Sequence, residues 1–378
     1  MTAIRDIVLA TTAAIAAVCL TMGTPASAQT PQGKPPMTLV SFGGAFTKSQ
    51  MLAFVRPYRK SSGRWVNVED YDGGLDEIRD QVESLNVKWD LVSIELQDAV
   101  RACDEGLLEP LNHINLLPAP DGTPARQDFY DDALQGCAIG YNIWSTVIAY
   151  RPAGFPAAKP ATLTDFFDLE RFPGPRGLRR QPEVNLEWAL IADGVLPEQV
   201  YQVLSTGEGL ARAFAVLDRI KARIVWWTKG SEPPRLLSSG RATMSSAWNG
   251  RIFEAVRDRG ADLAIIWDRQ VWNMDAWGIP KGSENRAEAL EFITFATDPR
   301  RLAEQANYIA YAPSRRSAAA WVSDDIKPHL PTAEGRAAGA LRIDYGWWAE
   351  NKPRIDAAFN AWLREELFVY DFGAVDGN

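Results

Sequence analysis

Three features of the sequence predict an α/β fold in two bodies. The hydrophobic period switches repeatedly between 2 and 3.6 residues along the chain. Apolar strand-like runs alternate with amphipathic stretches through short Gly-rich links. The chain has 378 residues, 46% of them hydrophobic and 23% charged, which suffices for two cores of roughly 150 residues each.

The elements follow in order. Residues 37–42 form a short apolar strand, Gly43 and Gly44 a turn, and 45–60 an amphipathic helix. Residues 66–69 are a second strand, followed by Gly73-Gly74 and a helix over 75–85. Residues 90–94 make a third, with a helix through Ala102 and a turn at Gly106. Such a unit has parallel strands and right-handed crossovers, which bring the loops after each strand to one edge, where ligands bind. Those loops are 42–44, 71–74 and 95–97.

A second body opens with the apolar stretch 138–150 and a Pro-rich connection through Pro160. A helix over 186–192 ends at Gly194, and 208–222 is amphipathic. Residues 224–227 and 242–248 are strands, and a helix over 251–259 closes at Gly260. Beyond 275–279 the pattern returns to long helices, one opened by Asp298 as N-cap with Pro299 at the first helical position. Residues 344–367 read as a helix whose apolar stripe is Trp347, Trp348, Ile355, Phe359 and Trp362.

Residues 1–28 have the form of a secretory signal peptide: Arg5, an apolar run over 7–22, and Ala26-Ser27-Ala28 at a cleavage position. The run is shorter than the roughly 20 residues a spanning helix needs. A lipid anchor on Cys19 is the alternative. Residues 29–36 are a flexible Pro/Gln/Gly leader. In an oxidising compartment Cys103 and Cys137 either form one disulfide or remain two separate buried thiols.

With 40 basic against 48 acidic side chains, the formal charge of −8 argues against nucleic acid and anionic surfaces as partners. Only His113 and His329 occur, which removes most metal-site and general-base chemistry. No zincin, nucleophile-elbow, phosphate-loop or calcium-loop motif is present. Gly207-Glu208-Gly209 begins like a dinucleotide fingerprint, but Arg212 stands where the third glycine belongs, so the stretch is a loop feeding a helix. No catalytic residue, cofactor or metal is expected.

Several collinear stretches carry a resemblance. They are WDLVSIELQDAVRACDEGLLEPL from Trp89, GCAIGYNIWSTVIAY from Gly136, RATMSSAWNGRIF from Arg241, VWNMDAWGIPKGSEN from Val271 and DPRRLAEQANYIAYAPSRRSA from Asp298. Together they resemble the substrate-binding proteins of ATP-binding-cassette (ABC) importers, specifically the spermidine/putrescine-binding-like group. The resemblance implies a type II periplasmic-binding fold, with two α/β lobes joined by crossing strands. It also implies a periplasmic monomer that closes on a small cationic, polyamine-like solute and docks onto a membrane permease. Lobe one would hold 37–137 with a return over 274–325, lobe two 138–273, and residues 326–378 a C-terminal helical segment packing on the lobes.

In the polyamine-binding pattern the aspartate of a Met-Asp step receives an amine, and Met274-Asp275 matches it. A buried carboxylate in that apolar run needs a partner, either the ligand or an internal arginine. Trp248 matches the aromatic that stacks on the ligand, with core packing as its alternative role. Trp272 is a further stacking candidate, although Asn273 occupies the position of the family's second aromatic. Phe42, Gly43 and Gly44 offer close backbone approach, or simply a turn. Glu95 is placed to receive an ammonium group or to cap its helix, and Tyr311 to bond solute or pack. The further acidic residues of polyamine binders correspond poorly to Glu183 and Glu187, which puts a second amine site in doubt. An amino-acid derivative, another polar solute or, through Tyr308 and Tyr311, ferric iron are alternatives on the same fold. A secreted carboxylate-pair hydrolase is the rival from another class.

Overall fold

A computed structural model describes residues 35–337 and 339–371, with the side chains of the last helix described to Arg364. The expected export signal, and the leader apart from Pro35 and Pro36, lie outside the described residues.

The first strands and helices of the described residues form a parallel α/β unit. Strands β1 (Met37–Ser41), β2 (Val66–Asp70) and β3 (Leu91–Glu95) are parallel, with β1 in the middle. Every residue of β1 is buried, as in a parallel strand covered on both faces. Helix α1 (Gly44–Gln50) continues through a π turn, Met51–Val55, into α2 (Arg56–Ser62). Pro57 has no N–H to give the preceding turn, and the widening sits there. Helices α3 (Asp76–Glu83) and α4 (Leu96–Asp104) follow β2 and β3, and α5 (Ala125–Asp128) is a single turn.

Strand β4 (Ala138–Tyr150) is one uninterrupted, fully buried strand. After it come α6 (Leu163–Phe167), β5 (Arg176–Arg179), α7 (Asn185–Ala192), α8 (Val200–Leu204) and α9 (Gly207–Asp218). Next are β6 (Ile224–Trp227), α10 (Glu232–Ser238), β7 (Met244–Trp248) and α11 (Asn249–Arg259). The other long strand, β8 (Ala264–Gly278), leads to α12 (Arg286–Ala296) and to α13 (Pro299–Ile309), whose N-cap is Asp298 as expected. The short strands β9 (Ala312–Pro313) and β10 (Leu341–Arg342) precede the C-terminal helix α14 (Tyr345–Asp371).

The sheet runs β2-β1-β3-β8-β4-β7-β5-β6. Parallel strands β2-β1-β3 on one side are mirrored by parallel β7-β5-β6 on the other, with β8 and β4 antiparallel between them. The end of β8 pairs with β3, its start with the end of β4, and that end of β4 also carries β7. Between those two stretches the β4–β8 ladder slips: Thr146 faces Val271 and Ile148 faces Ile266, so residues 267–270 stand against Val147 alone. Arg269 takes a φ of 53° within that bulge.

The hydrophobic residues separate accordingly. One core gathers β1–β3, the start of β4 and residues as far as Leu330. A second gathers α7–α9 with Ile148, Tyr150 and Ile266, and includes Trp348, Ile355, Phe359 and Trp362 of α14. A smaller third cluster surrounds Trp227 and the inner face of α11. The polypeptide thus passes from core to core along β4 and β8. Cys103 and Cys137 form the expected disulfide, with Cα atoms 5.6 Å apart. Among the described residues no helix is long and apolar enough to cross a membrane.

Candidate functional site

All six parallel strands end at one cleft of about 400 Å³. Phe42, Gly43 and Gly44 follow β1, Asp70, Tyr71 and Asp72 end β2, and Glu95 ends β3. Opposite them stand Arg179 at the end of β5, residues 228–231 after β6, and Trp248 and Arg251 at the β7–α11 junction. This is the carboxyl edge where ligands settle in open parallel sheets. A smaller recess continues inward, walled by Phe46, Trp144, Asp275 and Tyr311 and sharing Phe42, Glu95, Trp248 and Arg251 with the outer cleft.

Asp275 is 2% exposed and lies opposite Glu95 in the β3–β8 ladder. Its Oδ1 accepts a 2.9 Å hydrogen bond from Trp144 Nε1. No cation among the described residues lies within 4.0 Å of it, so burial, and then Glu95, hold its carboxyl well above the usual carboxylate range. The internal arginine pair considered for Asp275 is made by Glu95 instead, which accepts from Arg179 Nη1 at 3.0 Å and from Gln97 Nε2 at 2.6 Å.

Arg251 is the converse case. It lies in the first turn of α11, 5% exposed. Its Nη2 donates to Phe42 O at 3.2 Å, Nε has no acceptor, and no carboxylate among the described residues pairs with it. Burial accordingly lowers its pKa. Gly44, at a φ of +58°, makes room for it: a Cβ there would come within 3.0 Å of Arg251 Nη1. Gly43 also has positive φ, at +75°.

Trp248 is half-buried, edge-on to Trp144 and Trp227 at 5.4 and 5.8 Å between ring centroids. The guanidinium carbons of Arg179 and Arg251 lie 5.1 and 5.9 Å from its ring centroid. Trp248 therefore packs and lines the cleft at once, with cations already near it. Phe42 stacks on Tyr71 at 5.3 Å. Tyr311 is buried against Phe46, and that burial pushes its hydroxyl well above the ordinary tyrosine value, keeping it protonated.

The fold thus assembles Phe42, Gly43, Gly44, Glu95, Trp248, Asp275 and Tyr311 around connected spaces, and leaves Trp272 outside them. Trp272 is buried in the first core with the Arg342 guanidinium 5.3 Å from its ring. Its neighbour Asn273 points to the other face of β8 and lines a narrow recess with Glu95 and Trp144. Glu183 also reaches that recess but is paired with Lys352 Nζ at 2.6 Å. Glu187 is buried behind it, accepting from Trp348 Nε1 at 2.8 Å. Tyr308 is not among the residues lining these spaces, in contrast to Tyr311. Absent from the sequence expectations are Trp144, Arg179, Arg251 and Lys229, the last bridging the mouth to Asp72 at 3.1 Å. Arg251 had a legible signal: a basic residue in the first turn of a helix opposes the helix dipole.

The geometry can be compared with known proteins. The family model described as bacterial extracellular solute-binding protein matches residues 53–332. The gamma-aminobutyric acid (GABA)-binding protein of Pseudomonas aeruginosa is 37% identical over 326 residues, covering 86% of this chain and 90% of that one. The periplasmic binding protein AgtB of Agrobacterium tumefaciens R10, solved in complex with agropinic acid, superposes with a TM-score of 0.77 at 28% identity, over 87% of this chain and 98% of its own. An ABC transporter substrate-binding protein of Bradyrhizobium japonicum gives a TM-score of 0.78 at 30% identity, over 87% and 99%. The fold is that of the periplasmic binding proteins, and the chain belongs to the bacterial extracellular solute-binding proteins, the solute receptors of ABC importers.

Proposed function

We propose that the cleft takes a small zwitterion, a primary amine joined to a carboxylate by a short chain, as in GABA or a related amino-acid derivative. One observation carries this reading: the buried, carboxylate-free guanidinium of Arg251 shares its recess with the buried, cation-free carboxyl of Asp275. An ammonium group beside Asp275 and a carboxylate beside Arg251 would satisfy both, each through charge-assisted hydrogen bonds worth about 1.5 to 3 kcal/mol. A polyamine would instead set a cation against Arg251, while Glu183 is already held by Lys352. The P. aeruginosa GABA-binding relative supports the same choice.

Trp248, Phe42 and Tyr311 then enclose the aliphatic chain, and Gly43 and Gly44 let the backbone approach it. Closure is a hinge movement of lobe one (37–137 with 274–325) against lobe two (138–273), bending where β4 and β8 cross between cores. The receptor works as a periplasmic monomer, exported by the signal at 1–28, and delivers its solute unchanged to a permease.

Calorimetric titration of ligand-stripped protein tests the proposal. GABA should bind one-to-one, more tightly than putrescine or spermidine, and be recovered intact. Tighter binding of putrescine would replace this reading with the polyamine one, and turnover of the solute would favour the hydrolase.

A further inference from the structure

Helix α14 packs with one lobe and touches the other. Its Trp348, Ile355, Phe359 and Trp362 sit in the second core. It also lies against α4, whose Leu96, Ala99 and Ala102 sit in the first. In the seam Lys352 pairs with Glu183 Oε1 at 2.6 Å and with Asp356 Oδ2 at 3.2 Å. Asp98 of α4 enters the same seam, 7% exposed and without an ion pair or hydrogen bond to any described residue.

We infer that closing the cleft takes up a proton at Asp98, which is solvated while the lobes are apart and enters the α4–α14 seam as the neutral acid. This inference rests on the hinged closure proposed above. The charges facing Asp98 explain why. Glu95 at the end of β3 and Glu183 before α7 are acidic, and Tyr71 after β2 is neutral. The cations are spoken for: Arg179 pairs with Glu95, Lys352 with Glu183 and Asp356, and Arg101, one turn on, with Glu105. An ionised Asp98 would add an unpaired negative charge to a buried acidic seam. Burial raises its carboxyl to about 7, with Lys352 as the main opposing influence.

The sign follows from linkage. A solvated aspartate titrates near 3.9, so between that value and about 7 the closed form holds the proton more tightly than the open one. The contribution to closure, and with it to affinity, is complete below about 3.9, falls as pH rises from there and is exhausted above about 7.

The test is the ratio of dissociation constants, parent over Asp98→Asn, for GABA from pH 5.5 to 8.5. Asp275 and Arg251 titrate alike in both proteins and cancel. The ratio should rise about 30-fold from pH 5.5 to 8.5, most of the rise falling below pH 7, and level off above about 8, as expected for one group titrating near 3.9 with the lobes apart and about 7 with them closed. A ratio independent of pH overturns the inference. If GABA gives no heat with either protein, the ligand reading has failed, and small-angle scattering of the unliganded proteins reads the latch instead. The parent should then expand between pH 6 and 8.5 and Asp98→Asn should not, whereas identical profiles refute it. Should Asp98→Asn not fold, Lys352→Met should move upward the pH at which affinity stops falling, because the main opposing cation is gone from the closed form. An unmoved profile counts against the latch.

Discussion

Replacing Arg251 by methionine separates ligand recognition from folding. In the empty protein this guanidinium makes one hydrogen bond, 3.2 Å to Phe42 O, lies 5.9 Å from the Trp248 ring centroid, and meets no carboxylate among the described residues. A hydrogen bond of that kind is worth about 1 kcal/mol, and the cost of burying an unpaired cation is at least as large. Methionine has similar reach and no charge, so the unliganded variant should melt within a few degrees of the parent or above it. Binding is another matter, because truncating one partner of a buried, hydrogen-bonded charge pair costs about 2 to 5 kcal/mol, roughly 30- to 5,000-fold in affinity. Calorimetry with GABA should show that loss, while putrescine should bind no worse and gain if anything. The reasoning fails if Arg251→Met binds GABA within threefold of the parent. A large fall in the melting temperature of the empty variant would assign the arginine to the fold.

Three further outcomes follow from the geometry. Gly44→Ala forces a side chain into left-handed backbone, at a cost of about 1 to 2 kcal/mol, and puts its Cβ 3.0 Å from Arg251 Nη1, so calorimetry should find GABA affinity reduced at least severalfold. Cys137→Ser opens a loop with a sequence separation of 34, and chemical denaturation should report a loss of about 3 to 4 kcal/mol on the chain-entropy estimate. Glu187 is held at about 7 by burial, above its unfolded value, so its stabilising contribution is complete below about 4.3 and is lost as pH rises through 7. Glu187→Gln should therefore raise the melting temperature relative to the parent at pH 8, by up to about 3 kcal/mol in stability, and change it little at pH 4.5.

What could be read from the residues divides along physical lines. Strands β1 and β3 were legible as short apolar runs, and β2 as a short stretch between Gly63 and Gly73. The start of β8 was not, because Asp268, Arg269 and Gln270 interrupt the apolar pattern and strand character there depends on pairing with β4. Arg176, Gly177, Leu178 and Arg179 of β5 gave no signal either, since Arg176 is buried by carbonyl partners that only the fold supplies, among them Phe166 O at 2.6 Å. At the site, the expectation of a cationic solute drew attention to the carboxylates. Glu95 and Asp275 fit that chemistry, whereas nothing in it points to Arg179 or Arg251, although Arg251 stands three residues after Trp248. Whether a charge is paired depends on distances across the sheet, which local sequence does not contain.

Neither core is complete until late in the chain. The first needs residues as far as Leu330, and the second needs Trp348, Ile355, Phe359 and Trp362. A nascent polypeptide growing from its amino end therefore completes neither of the two large cores until almost all of it has been synthesised. Premature termination before α14 would leave the partners of those four side chains in the second core uncovered.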